Sequence, residues 1–385
     1  MLHFPRWKII LIVGSCLFFV LMAVPSFLSE KTRESLPSWL PHRAVSLGLD
    51  LQGGSHLLLE VDYAAFMREQ LTNLADEIRT KFRTEKIGYK GLSVVDGNVV
   101  FSLRDNNTAD VVAILRAVSP DLDIAEEGGA YRVNFNERWQ KMSRGQVIEQ
   151  SLQIVERRVN ETGTREPIIQ RQGDSRIVLQ VPGLANPEHL KQLLGKTAKM
   201  TFHMVEESAS PEDIERGLVP PGARVIPGDA GDSRRDGRAR KYAIQSRVML
   251  SGDMLVEAHA SYDNQTGEPV VAFRFNVTGA RKFGEITSQN VGKLFAIVLD
   301  NKVITAPVIR SPILGGSGII SGNFTAESAN DLALLLRAGA LPAPLAVIEE
   351  RSVGPSLGAD SIAAGTKASI IGIALVVLFM VVFYG

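Results

Sequence analysis

The stretch Leu47-Gly48-Leu49-Asp50-Leu51-Gln52-Gly53-Gly54-Ser55-His56-Leu57-Leu58-Leu59-Glu60-Val61-Asp62 decides how the rest of the chain is read. Leu47, Leu49 and Leu51 alternate with Gly48, Asp50 and Gln52, the period of two expected of a half-buried strand. Gly53-Gly54 permits a bulge or tight bend that a side chain would resist. Residues 57–61 continue as a second, more fully buried strand. Asp50 is assigned to that turn rather than to acid–base chemistry with Glu60 and Asp62.

Outward from this stretch, both ends of the chain are apolar. Residues 9–28 carry no charge and match the roughly 20 residues needed to cross a hydrocarbon core. Arg6 and Lys8 precede them, which favours a cytoplasmic N-terminus; Lys31 and Arg33 vote the other way, but long following domains translocate largely regardless of charge. Trp7 and Trp39 suit interfacial positions. A cleaved leader would have a shorter apolar core and a small-x-small site, which Pro25-Ser26-Phe27-Leu28 lacks. Val13-Gly14-Ser15-Cys16 faintly resembles a lipoprotein box, but cleavage there would leave residues 17–28 without a role. Residues 368–384 form a second apolar run, barely long enough to span, so the chain reads as the N-terminal portion of a longer protein.

Composition excludes several function classes. With 385 residues and 45% hydrophobic content, two or three domains are expected. Lys plus Arg equals Asp plus Glu at 42 each, so nothing points to nucleic acid. The cluster Arg234, Arg235, Arg238, Arg240 and Lys241 has no interleaved aromatics and reads as a solvated loop. One cysteine, Cys16, and six histidines without His-x-x-x-His spacing argue against a disulfide framework and a metal site. In Gly315-Gly316-Ser317-Gly318 and the following Gly322, Ile319-Ile320 reads as a strand and the next helix starts only near Thr325. That is the wrong geometry for a dinucleotide loop, so no cofactor is expected. No G-x-S-x-G, H-E-x-x-H or Walker pattern occurs, and no catalytic residue is assigned.

Between the apolar ends, helices and strands alternate. Residues 63–82 show helical periodicity; 90–103 and 124–135 read as hairpins turned at Asp96-Gly97 and Gly128-Gly129. A helix at 108–118 between them would be capped by Thr108 or Asn107. In 146–160, Ile148, Leu152, Val155 and Val159 form the buried stripe of a helix, with Glu149, Glu156, Arg157 and Arg158 on the outer face. A strand at 176–181, a helix from Pro187 capped by Asn186, and a strand at 198–205 follow. This order is that of a split ferredoxin-like unit. Residues 248–275, a helix at 280–290 and a hairpin turned at Asp300-Asn301 make a second compact unit, inserted into the first. Thr325 caps a final helix ended by Gly339, followed by a strand at 345–350 and a bend at 353–358.

Residues 46–61 and the run 292–358 resemble the SecD/SecF family of bacterial protein-export membrane subunits, within the RND superfamily. The likeness extends over nearly the whole chain, moderately at 146–203 and weakly at 63–135 and 206–247. The residues carrying it are Gly48, Asp50, Gln52, Gly53, Gly54, Asp300, Pro307, Gly322, Phe324, Arg337, Gly339, Pro342, Gly354, Pro355 and Gly358.

The resemblance implies an α+β fold in which a membrane-anchored, ferredoxin-like periplasmic base carries an inserted α+β head. On this sequence that means a cytoplasmic N-terminus at 1–8, a membrane helix at 9–28 and a tether at 29–43. The base would comprise 44–205 and 323–353, with the head at 206–322 and hinges near 203–208 and 320–325. A return linker at 354–367 would lead to a second, truncated membrane helix at 368–385.

It further implies a non-enzymatic, multi-pass subunit of the inner membrane that works with SecF at the SecYEG channel, with YajC and YidC nearby. Such a subunit binds emerging, unfolded preprotein and couples the proton gradient to its export. The family's relay residues lie in later membrane helices; neither apolar run here holds an ionisable group for that role. Phe273 and Phe275, or the loops 264–268 and 311–318, are the expected preprotein contacts, although alternating apolar residues of this kind usually face a core. The alternatives are an RND-type exporter subunit for small molecules or lipids, and a tethered periplasmic enzyme, for which no nucleophile–base pair is visible.

Overall fold

The computed structural model describes residues 5–23, 49–104, 111–163, 167–184, 187–229, 240–263, 265–353 and 355–384. They fall into two units, one formed by the chain ends (1–54 and 353–385) and one by residues 55–352.

The larger unit is built on a frame of four strands and two helices. In chain order these are Gly54–Val61, the helix Glu137–Glu161, Ile168–Gln172, Arg176–Pro182, the helix Pro187–Gly195 and Leu345–Val353. The strands lie side by side in the order 345–353, 54–61, 176–182, 168–172. With the frame strands numbered by sequence, the spatial order is 4-1-3-2, so this is a ferredoxin-like βαββαβ unit. Its core is aliphatic: Leu57, Leu59, Val61, Val155, Val159, Ile177, Leu179 and Val181 meet there, joined by Leu341 and Leu345.

Two segments interrupt the frame. The first, residues 62–136, leaves the opening strand through Asp62, whose carboxylate accepts from the Ala65 amide and caps the helix Tyr63–Thr84. Four strands follow, in the order 89–95, 98–103, 130–135, 122–127. Asp96-Gly97 and Gly128-Gly129 turn the two hairpins with positive φ at all four positions, the geometry that suits a right-handed strand twist. These strands and helices close a core of their own around Phe82, Phe101, Tyr131 and Val133. Sequence reasoning placed this lobe inside the base; its separate sheet and core make it an insertion. The expected caps Asn107 and Thr108 lie outside the described residues, as does Asn186.

The second insertion, residues 196–344, contains the span expected to be the head. One of its sheets runs 250–251, 200–204, 295–299, 302–305, and another runs 255–262, 269–275, 317–320. Met200, Phe202 and Met204 face a core shared with Phe273, Phe275, Phe283 and Phe295. The strand expected to complete the base thus pairs with 250–251 and 295–299 and not with the frame sheet, because its alternate side chains are the ones that fill the aromatic core. The helix Ala326–Ala338 also changes sides. Ala329, Leu332, Ala333 and Leu336 pack into the head core, while Leu334 and Leu335 meet Leu193 and Ala198. A helix apolar on more than one face is buried on more than one face.

In the unit of chain ends, the expected strand 47–51 is instead a helical turn, Leu49–Gln52, lying against the helix Pro355–Tyr384. Three alternating leucines are too few to separate the two periods. Gly53 and Gly54 take φ of 71° and 134°, so the bend occurs as expected and the strand begins only after it. The expected bend and linker at 353–367 is corrected as well: from Pro355 onward the chain is one 30-residue helix, with proline at the first helical position where it is best tolerated. Within it, Asp360–Phe383 is long and apolar enough to cross a membrane. The other long helix of this unit, Arg6–Ala23, exposes Ile10, Leu17 and Phe19.

Candidate functional site

The chain passes from frame to head at residues 196–199 and returns at 339–344, and both crossings meet at one side chain. Arg158, in the last turn of Glu137–Glu161, is fully buried. Its Nη1 donates to the carbonyls of Leu193 (2.7 Å) and Lys196, and its Nη2 to those of Thr197 and Gly339 (both 3.2 Å). Leu193 lies in the last turn of the frame helix Pro187–Gly195, and Gly339 caps the head-side helix Ala326–Ala338. The guanidinium therefore meets the C-terminal ends of two helices, the position at which a helix dipole favours a cation. Burial pulls its pKa down to about 10, against the pull of the Asp300 carboxylate, so it stays charged at neutral pH.

Asp300 holds the inbound crossing from the head side. It sits at the tip of the 295–305 hairpin, where Asp300 and Asn301 both take positive φ. Its carboxylate accepts from the Ala198 amide (3.0 Å), the Lys199 amide (2.9 Å) and the Thr197 hydroxyl. The two crossings also bond directly, Leu341 N–H to the Thr197 carbonyl at 2.8 Å. At the rim, Arg337 forms a two-pronged ion pair with Glu161 and donates to the Ala258 carbonyl at 3.0 Å. Lys199 pairs with Glu69 of the first insertion, and burial lowers its pKa. A cleft of about 460 Å³ opens beside the crossings, with Phe66, Ile154, Leu255, Leu336, Leu341 and Pro342 among its lining.

Of the residues singled out from sequence, Asp300, Arg337, Gly339 and Pro342 are brought together at this junction. Pro307 supports the hairpin, its carbonyl accepting from the Phe295 amide. Gly322 gives room to the half-buried ring of Phe324, which would lie 3.1 Å from a Cβ placed there. Gly53 and Gly54 make the bend before the first strand. Gly48 and Gly354 lie outside the described residues, and Asp50, Gln52, Pro355 and Gly358 occupy helical positions.

Phe273 and Phe275 do not reach the surface. Each is 4% exposed, with ring contacts to Phe202 and Phe283, because the inner face of their strand is the head core. The expected hinges near 203–208 and 320–325 adjoin packed elements. Residues 203–204 lie within a buried strand, and 320–325 lead into a helix packed on the head core. Arg158 is the residue that sequence reasoning missed by assigning it to the outer face. It lies seven residues after buried Ser151 and three after Val155, on the inward stripe; the long polar side chain masked the periodicity.

Comparison with known proteins identifies the family. Family profiles match as SecDF, P1 head subdomain, over residues 229–343; Protein translocase subunit SecDF, P1 domain, N-terminal, over 148–207; and SecD/SecF GG Motif over 38–62. The head profile ends on the return crossing. Protein translocase subunit SecD of Rickettsia bellii is 47% identical over 386 residues, covering 100% of this chain and 72% of the relative. The subunit of the same name from Acetobacter pasteurianus is 43% identical, covering 100% of this chain and 73% of the relative. A crystal structure of SecDF in a super-membrane-facing form matches with a TM-score of 0.50 and 28% identity, covering 96% of this chain and 39% of that one. These likenesses do not favour a small-molecule or lipid exporter. The chain belongs to the SecD family of protein translocase subunits.

Proposed function

We propose that this chain is the preprotein-handling part of a protein-export machine in the bacterial inner membrane. The helices Arg6–Ala23 and Pro355–Tyr384 anchor it, and residues 55–352 work on the periplasmic side. The head, which we place between the crossings at 196–199 and 339–344, engages unfolded polypeptide as it emerges. SecF and the SecYEG channel are its working partners, with YajC and YidC alongside, and the proton gradient supplies the drive. No catalytic step is assigned to any residue.

The observation that supports this reading best is the division of the 55–352 unit into a frame and a head with separate cores, joined at two crossings. A lobe attached in this way can meet a passing chain without disturbing the frame. Its surface suits that task. Ser317–Ile320 is an outer strand of its sheet, where an extended polypeptide can add through main-chain bonds. Ile319 stands exposed on it and Leu314 just before it. Gly318 keeps this strand close: a Cβ there would lie 2.7 Å from the Phe273 ring.

The test is pulse-chase labelling of secreted proteins in cells depleted of this protein. Precursors should accumulate inside the cell, and restoring the protein should clear them. Secretion at the normal rate under depletion would contradict the reading.

A further inference from the structure

Arg158 spends four hydrogen bonds on backbone carbonyls, one in the frame helix and three in the two chain crossings, and no carboxylate among the described residues is bonded to it. Its buried Nε has no partner among the described residues. A side chain placed to neutralise an acid would be arranged differently; this one is arranged to hold main chain. The Thr197 carbonyl shows how. It accepts from Arg158 Nη2 and from the Leu341 amide, so the outbound crossing, the inbound crossing and the frame helix share one acceptor. Asp300 then fixes the next two amides, Ala198 and Lys199, from the head side.

We propose that Arg158 is the positioning residue that ties the two crossings into a single joint, so that frame and head are coupled there rather than through two independent strands. The planar fork matters as much as the charge. It reaches acceptors on Leu193, Lys196, Thr197 and Gly339 at once, whereas a lysine ammonium is a compact charge without that fork. Breaking the fork loosens both crossings together, although they are more than a hundred residues apart in sequence. The importance of this joint for export rests on the function proposed above; its existence does not, and the test below reads the joint without any export assay.

Hydrogen exchange on the full chain in detergent tests it directly. In Arg158→Lys, the amides of Ala198, Lys199 and Leu341 should exchange at least about tenfold faster together, while amides of 57–61 in the frame and 271–275 in the head keep their protection. Asp300→Asn provides the contrast and serves if Arg158→Lys fails to fold: acceleration should be confined to Ala198 and Lys199, with Leu341 unchanged. Acceleration of one crossing alone in Arg158→Lys, no acceleration at all, or equal acceleration of Leu341 in Asp300→Asn would overturn the coupling role.

Discussion

The two insertions are fastened to the same frame by different physics. The first is held by stacked rings. Tyr63 stacks on Phe66, Phe66 lies parallel to Trp139 at 6.4 Å, and Trp139 stacks on Phe135 at 3.9 Å. The Arg144 guanidinium covers the outer face of Tyr63 at 4.7 Å. The head is held by directional bonds: one buried guanidinium on four carbonyls, one carboxylate on two amides and a hydroxyl, and an exposed ion pair. Apolar contacts tolerate small rotations with little loss, whereas hydrogen bonds weaken steeply once misaligned. Rings thus dominate the first attachment, with the Tyr63 hydroxyl bonded to Gln140 and Ser143 beside them, and directional bonds dominate the second, with Leu334 and Leu335 packed on Leu193 beside them.

The largest expected effect is on the head joint. Arg158→Met should cost about 3–5 kcal/mol in denaturant unfolding, because it leaves buried carbonyls unpaired. Trp139→Ala should cost less, about 2–3 kcal/mol, since the ring is half-buried and its loss leaves no orphaned polar group. It should leave exchange at Ala198 and Leu341 untouched; if it loosened those amides, the two joints would not be independent. Smallest is Glu161→Gln, at less than about 1 kcal/mol for a partly exposed pair. A larger loss there would mean that the rim, not Arg158, carries the joint.

The head is expected to have a pH dependence of its own. His203 is buried, with Nδ1 facing the carbonyls of Gln245 and Arg247 and Nε2 the Thr201 hydroxyl. Burial holds its imidazole below the ordinary value of 6.5. The unfolded chain therefore binds a proton that the folded head refuses. Stability is present above pH 6.5 and falls as the pH drops below that value. Thermal melts between pH 5 and 7 should show the loss, and His203→Asn should flatten it. A melt unchanged over that window would remove His203 from the account.

How legible each region was follows from the range of its contacts. The first insertion is built from sequential hairpins, so Asp96-Gly97 and Gly128-Gly129 announce it within a few residues. The head hairpin at Asp300-Asn301 and the Thr325 cap of the final helix were legible for the same reason. The frame was harder. Its first and last strands are neighbours although almost the whole unit lies between them in sequence, and no local pattern states that pairing. The strand 200–204 follows a frame helix and so reads as frame, yet Phe202 draws it into the head. At the junction, Asp300, Arg337, Gly339 and Pro342 stood out as motif, but their partner Arg158 looked like one more surface charge.

On the function proposed above, the head and not the first insertion meets the exported chain. Photo-crosslinking probes at two exposed positions test it most directly: Ile319 on the outer strand of the head and Val95 on the first insertion, each 49–53% exposed. With a secretory precursor stalled in the channel, Ile319 should crosslink to the precursor and Val95 should not. Equal labelling at both, or labelling at Val95 alone, would contradict the account.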